Sequence, residues 1–314
     1  MIKALYNHID IDQLNIIMMI IALAVAYYIP VELVLISYAF LGPAHYLTQI
    51  SWMHDRAYFT GSNFLLWAFV LLSLAFTFMY YLGVFNTIYY AYMLCAALSI
   101  AMSYVFFQTT GRRFTMSAIF FAVMIGLVNI SPGFSLTIGV FLPTILHIYV
   151  FTLLFMLYGA MKTGSPWAYL SCLMMVICAA YFFILEPESR IYFPEMTHAN
   201  IGPFAVVADH LQRIFSFGGH VSGVSMLGML SFAYTYHYLN WFTKVNIIQW
   251  NQIPKRRIGV MVLLYLMTIS LYLYDYRIGF LSILFLSLLH VLLELPLNVM
   301  TIRAVASRIL GILK

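Results

Sequence analysis

Residues 278–297 read IGFLSILFLSLLHVLLELPL, twenty positions of which only His290 and Glu294 can ionise. A helix needs about 20 mostly apolar residues to cross the hydrocarbon of a bilayer, so this stretch predicts a membrane span. The same stretch raises the functional question. Histidine and glutamate are expensive inside hydrocarbon and mark a site by default. Their spacing of four places both on one face of the predicted helix.

Working outward, the rest of the 314-residue chain has the same character. It is 64% hydrophobic and 8% charged, with only ten acidic residues but nine histidines. Its mean hydropathy is +0.95. Soluble globules carry about 25% charged residues, so too little polar surface is available here and lipid must be the solvent. The predicted fold is an all-α, polytopic integral membrane helix bundle in one transmembrane domain over 1–314. Ten spans are expected, at 13–29, 31–51, 62–83, 87–107, 114–131, 138–160, 166–185, 219–242, 258–275 and 278–297. Pro30, Gly61, Gly111, Pro132-Gly133, Gly164-Ser165-Pro166 and Pro254 punctuate them as breaker residues should. No internal repeat stands out.

Short cytoplasmic loops are rich in Lys and Arg. Ten spans put Lys3, Arg56, Arg112, Arg113, Lys162, Lys244, Lys255, Arg256, Arg257, Arg303, Arg308 and Lys314 on one side, against Arg190, Arg213 and Arg277 on the other. Twelve against three predicts that both termini are cytoplasmic, in what is expected to be a bacterial inner membrane. The net charge of +5 then reflects topology and contact with anionic lipid; there is no separate basic domain for nucleic acid. Asp10 and Asp12 precede the first apolar run without a small-residue cleavage site, so a retained first span is expected rather than a signal peptide. The external segment at about 186–218 is expected to be a solvated loop, with Phe204–Phe217 able to lie at the interface as an amphipathic helix. Cys95, Cys172 and Cys178 lie in apolar runs and read as small core residues.

With a rise of 1.5 Å per residue, His45, His237 and His290 fall at one depth in the cytoplasmic half, with His147 expected about two turns deeper. Neutral imidazoles from separate helices can share one transition metal and leave positions open. Glu294 would ligate or orient a ligand, and Tyr234 and Asn240, each three residues from His237, would line the pocket. Gln49 faces the same way as His45. His220 is read as structural, near the opposite face. A single intramembrane histidine is as often a helix-packing residue as a ligand. Phosphate-binding glycine loops, dinucleotide fingerprints, HExxH helices and GxSxG elbows are absent from the sequence. So are the HxxxH and HxxHH boxes of membrane desaturases.

Gly42-Pro43-Ala44-His45, Leu146-His147, Tyr236-His237-Tyr238 and Leu289-His290 with Glu294 resemble, in order and spacing, the histidine motifs of the Brp/Blh-type bacterial β-carotene cleavage oxygenases. The resemblance implies a polytopic non-haem iron enzyme whose iron is held by His45, His147, His237 and His290, with a carotenoid or other lipophilic molecule as substrate. Where that family has paired histidines on one late helix, this chain has His237 alone, flanked by Tyr236 and Tyr238. From the residues themselves two other classes stay open. One is a proton-coupled transporter or channel, with Pro143 breaking a helix before His147; the other is a non-catalytic membrane subunit using the histidines as helix glue.

Overall fold

The computed structural model describes residues 11–55, 63–84, 86–216, 221–244 and 253–311, apart from the side chain of Met196. Lys3, Arg56, Gly61, His220 and Lys314 lie outside these residues. The described chain is helical, with no strand among the described residues. In order the helices are α1 (Ile11–Tyr28), α2 (Pro30–Asp55), α3 (Asn63–Tyr81), α4 (Thr87–Phe106), α5 (Thr110–Ile130), α6 (Pro132–Thr163), α7 (Pro166–Ile184), α8 (Pro194–Asn200), α9 (Gly202–Phe215), α10 (Gly223–Thr243), α11 (Lys255–Tyr274) and α12 (Tyr276–Ile309). Among the described residues, nine are long and apolar enough to cross a membrane: α1 to α7, α11 and α12. The protein is thus an all-α polytopic bundle of the kind integral to membranes.

The tenth expected span, 219–242, is the helix α10, but its composition is too polar to qualify with the nine. The reason lies in what surrounds it. Sixteen of its 21 residues are buried, so its serines, tyrosines, His237 and Asn240 face protein instead of lipid and can be paired there.

The chain forms two compact units: one from the residues up to His45 together with Ile148–Gly279, the other from Tyr46–His147 together with the residues from Phe280 onward. It passes between them inside α2, α6 and α12.

In the first unit α10 packs against α1, the start of α2, α7 and α9. A Cβ on Gly228 would come within 2.7 Å of the Phe182 ring and 2.9 Å of Pro187, so only glycine allows this approach. Ser37 and Thr235 share a hydrogen bond of 2.7 Å, and the Thr243 hydroxyl donates to Asn15 Oδ1 at 3.0 Å. Such interhelical bonds average about 0.6 kcal/mol each. The segment before α8 is laced to the ends of α1 and α2. The Glu188 and Arg190 N–H groups donate to the carbonyls of Tyr27 and Tyr28, and Glu32 Oε1 accepts from the N–H groups of Tyr192 and Phe193. Helix α9 buries Phe204, Val207, Ala208 and Leu211 and exposes Val206, Ile214 and Phe215, with Phe217 of the expected stretch outside the described residues.

In the second unit α4 and α5 form a hairpin tied by Ser103–Ser117 and by Tyr92 donating to Asn129 at 2.8 Å. Helix α5 buries only Val128. Its exposed Phe114, Ile119, Val123 and Ile130 suit lipid.

Two helices depart from α geometry just before a histidine. Ser37–Leu41 of α2 is a π-type turn leading into Gly42-Pro43-Ala44-His45. Thr137–Phe151 of α6 is also widened, and Thr144, directly after Pro143, leaves helical geometry at φ −117, ψ −106. Proline has no N–H to give to the residue four before it and crowds that carbonyl, which breaks the ladder. The Thr144 hydroxyl folds back to the Val140 carbonyl, the one after that opposite Pro143, at 2.6 Å.

Candidate metal centre

Among the described residues, each unit holds one pair of buried histidines. In the first, His45 from α2 and His237 from α10 face each other with their Nε2 atoms 3.2 Å apart and their rings edge-on at 4.7 Å. The Nδ1 of His237 is 2.8 Å from the Thr152 hydroxyl on α6. A hydroxyl there fixes the ring's aim and leaves Nε2 as the atom turned to its partner. The rings of Tyr238 and Trp241 flank His45 at 5.2 and 5.6 Å and make its surroundings aromatic.

In the second unit, His147 from α6 and His290 from α12 stand with Nε2 atoms 3.1 Å apart. Tyr46 stacks on the His290 ring at 4.2 Å. Glu294, one turn beyond His290, brings Oε2 to 3.9 Å from His147 Nδ1, the nitrogen on the far side of the ring from the pair contact. Gln49 Nε2 donates to the same Glu294 oxygen at 2.5 Å. The carboxylate therefore sits behind a histidine, in the place of an orienting partner rather than beside the paired nitrogens.

The spacing within each pair is chemically informative. Two nitrogens bound to one ion at about 2.1 Å lie about 3.0 Å apart at a right angle and about 3.4 Å apart at a tetrahedral angle. Separations of 3.1 and 3.2 Å fall in this interval. They also suit a neutral imidazole pair sharing one proton, so the distance alone admits both. Burial, residue type and, at His237, the hydroxyl bonded to Nδ1 add weight to the first, because ligating histidines nearly always give their other nitrogen to a neighbouring oxygen. His45, His147, His237 and His290 are all buried and could hold a metal ion.

Sequence reasoning placed His147 about two turns from the level of His290, and this is corrected: the two are in contact. The ends of the apolar runs do not mark depth in these helices. Helix α12 runs on to Ile309, α6 covers 32 residues, and the break at Pro143–Thr144 spoils a uniform rise. Tyr234 is buried one turn from His237 among Tyr38, Phe204 and Tyr238, with ring centroids 6.0, 5.6 and 6.1 Å away. Asn240 is buried, and its carbonyl accepts from the Thr243 hydroxyl. His54 is exposed beside Asp55.

Three contributors escaped the sequence reading. Thr152 carried no signal, since threonine is common in spans and its partner lies 85 positions away. Tyr46 looked like one of many interfacial tyrosines. Asn298, buried four residues after Glu294, continues the face begun by His290, and that spacing was there to be read.

Comparison of the chain with family models, with curated proteins and with solved structures gave no match.

Proposed function

We propose that the protein is a membrane-embedded, metal-dependent oxidoreductase. Its most specific form is a non-haem iron oxygenase that takes a lipophilic substrate, such as a carotenoid or another lipid, from the surrounding membrane. His45, His147, His237 and His290 are the proposed ligands. The observation that carries this reading is the pair of buried imidazole couples at a separation that two ligands of one ion can take. When bound, iron in a nitrogen-rich site with free positions supplies oxygen activation.

The chain's own groups then have defined tasks. Thr152 holds His237 in one orientation. Glu294, fixed by Gln49, lies behind His147 and offsets part of the ion's charge in a low-dielectric interior. Tyr238, Trp241 and Tyr46 exclude water around the imidazoles. The proposed topology has both termini in the cytoplasm of a bacterial cell, and cysteine labelling near Arg112 and Arg256 from one side and near Glu188 from the other tests it.

Metal analysis of the detergent-purified protein, with product analysis under oxygen, tests the function. Stoichiometric iron and an oxygenated product support it; a folded protein that takes up no transition metal ends it. The broken helix at Pro143–Thr144 and the hydrogen-bond reach within each couple favour a second reading, a proton relay. That reading requires proton-coupled flux in vesicles from metal-free protein.

A further inference from the structure

Three polar residues, His290, Glu294 and Asn298, recur every fourth position on one face of α12, and each step climbs about 6 Å. The adjoining part of α2, within the same unit, answers them level by level. Tyr46 stacks on His290, and Gln49 bonds Glu294. Four residues further along α2 the register reaches Met53, which is fully buried and offers only a weakly accepting sulfur. Asn298 stands one level beyond the Gln49–Glu294 bond on this face.

Asn298 is 2% exposed, and among the described residues neither Oδ1 nor Nδ2 has a hydrogen-bond partner. Gln49 Oε1, one level up, is buried and likewise without a partner among the described residues. The nearby Thr301 hydroxyl is committed to the Leu297 carbonyl. Buried amides are retained in apolar surroundings where something satisfies them. A donor and an acceptor side by side are matched by a hydroxyl, which gives one hydrogen bond and takes another.

We propose that Asn298, with Gln49 Oε1 above it, is a subsite for the hydroxyl group of a long-chain lipophilic ligand, anchoring it about 12 Å along α12 from His290. That this ligand is the substrate of the histidine centre rests on the function proposed above; the subsite itself is defined without the metal. The anchored hydroxyl is then remote from the reacting end and sets which bond of an extended molecule reaches the imidazoles.

The experiment compares binding of cis-9-octadecen-1-ol with that of cis-9-octadecene, by competition against radiolabelled octadecenol on the purified protein in detergent. The wild type should prefer the alcohol at least about tenfold, because a site built for a hydroxyl rejects the analogue lacking it. Asn298→Leu should bring the two ligands within about twofold and leave hydrocarbon affinity unchanged, and Asn298→Ser should keep part of the preference. Equal affinities in the wild type would mean that the amide serves only water, and the proposal falls. It falls equally if Asn298→Leu keeps the preference; should that variant not fold, Asn298→Ser decides by the size of its loss. Metal content of the same preparations separates the two readings. Alcohol preference without metal sinks the oxygenase alone, and metal without alcohol preference sinks the subsite alone.

Discussion

The His45–His237 and His147–His290 couples match in spacing to 0.1 Å, yet they are held by different chemistry. A neutral threonine hydroxyl stands behind His237, whereas a carboxylate braced by a glutamine stands behind His147. The flanking rings also differ, edge-on Trp241 beside His45 against Tyr46 stacked flat on His290. The separation between nitrogens is what a ligand set must fix; the means of fixing it can vary with what each helix offers. A carboxylate behind an imidazole raises its basicity more than a hydroxyl does, so the second couple should be the stronger donor.

The largest effect should come from removing an imidazole. If both couples serve one ion, His237→Ala and His290→Ala will each abolish bound metal while the protein stays folded. If each couple holds its own ion, either variant will keep half. Metal-to-protein ratios of the two variants decide between these outcomes.

Next in size are the groups behind the rings. Glu294→Gln should weaken metal binding by about 100-fold and Thr152→Val by about 10-fold, the two ends of the usual range for orienting partners. Competition with a chelator of known affinity measures both. Equal losses would mean that the carboxylate's charge is immaterial and that both groups act only by position. Gln49→Leu should cost less than Glu294→Gln, since it frees the carboxylate without removing it. The smallest effect belongs to His54→Ala, exposed beside Asp55, which should leave metal content and thermal stability unchanged.

The four histidines buried among the described residues could be picked out of the sequence because hydrocarbon leaves so few reasons to keep one. The helices were legible for the same cause: apolar runs near 20 residues with breakers between them. Depth was not legible, because α12 continues through Arg303 and Arg308 well past the apolar run, and because Pro143 alters the rise of α6. Nor was the special standing of α10. Its periodicity looks like that of any span, and only its neighbours, gathered from distant parts of the chain, explain how it tolerates so many hydroxyls. Thr152 belongs to the same class of information, a contact between residues 85 positions apart.

The π-type turn at Ser37–Leu41 buffers the aim of His45 against a change in residue number. Such a turn amounts to one residue more than an α-helix needs, and each α-helical residue advances the chain by about 100°. Because the wider turn absorbs that residue, deleting one between Ser37 and Leu41 would restore regular winding and leave Glu32, with its hold on Tyr192 and Phe193, in nearly its present orientation to His45. Among divergent copies of this chain, a single-residue deletion should therefore be tolerated in this stretch, whereas one elsewhere between Glu32 and His45 would swing the histidine by about 100°.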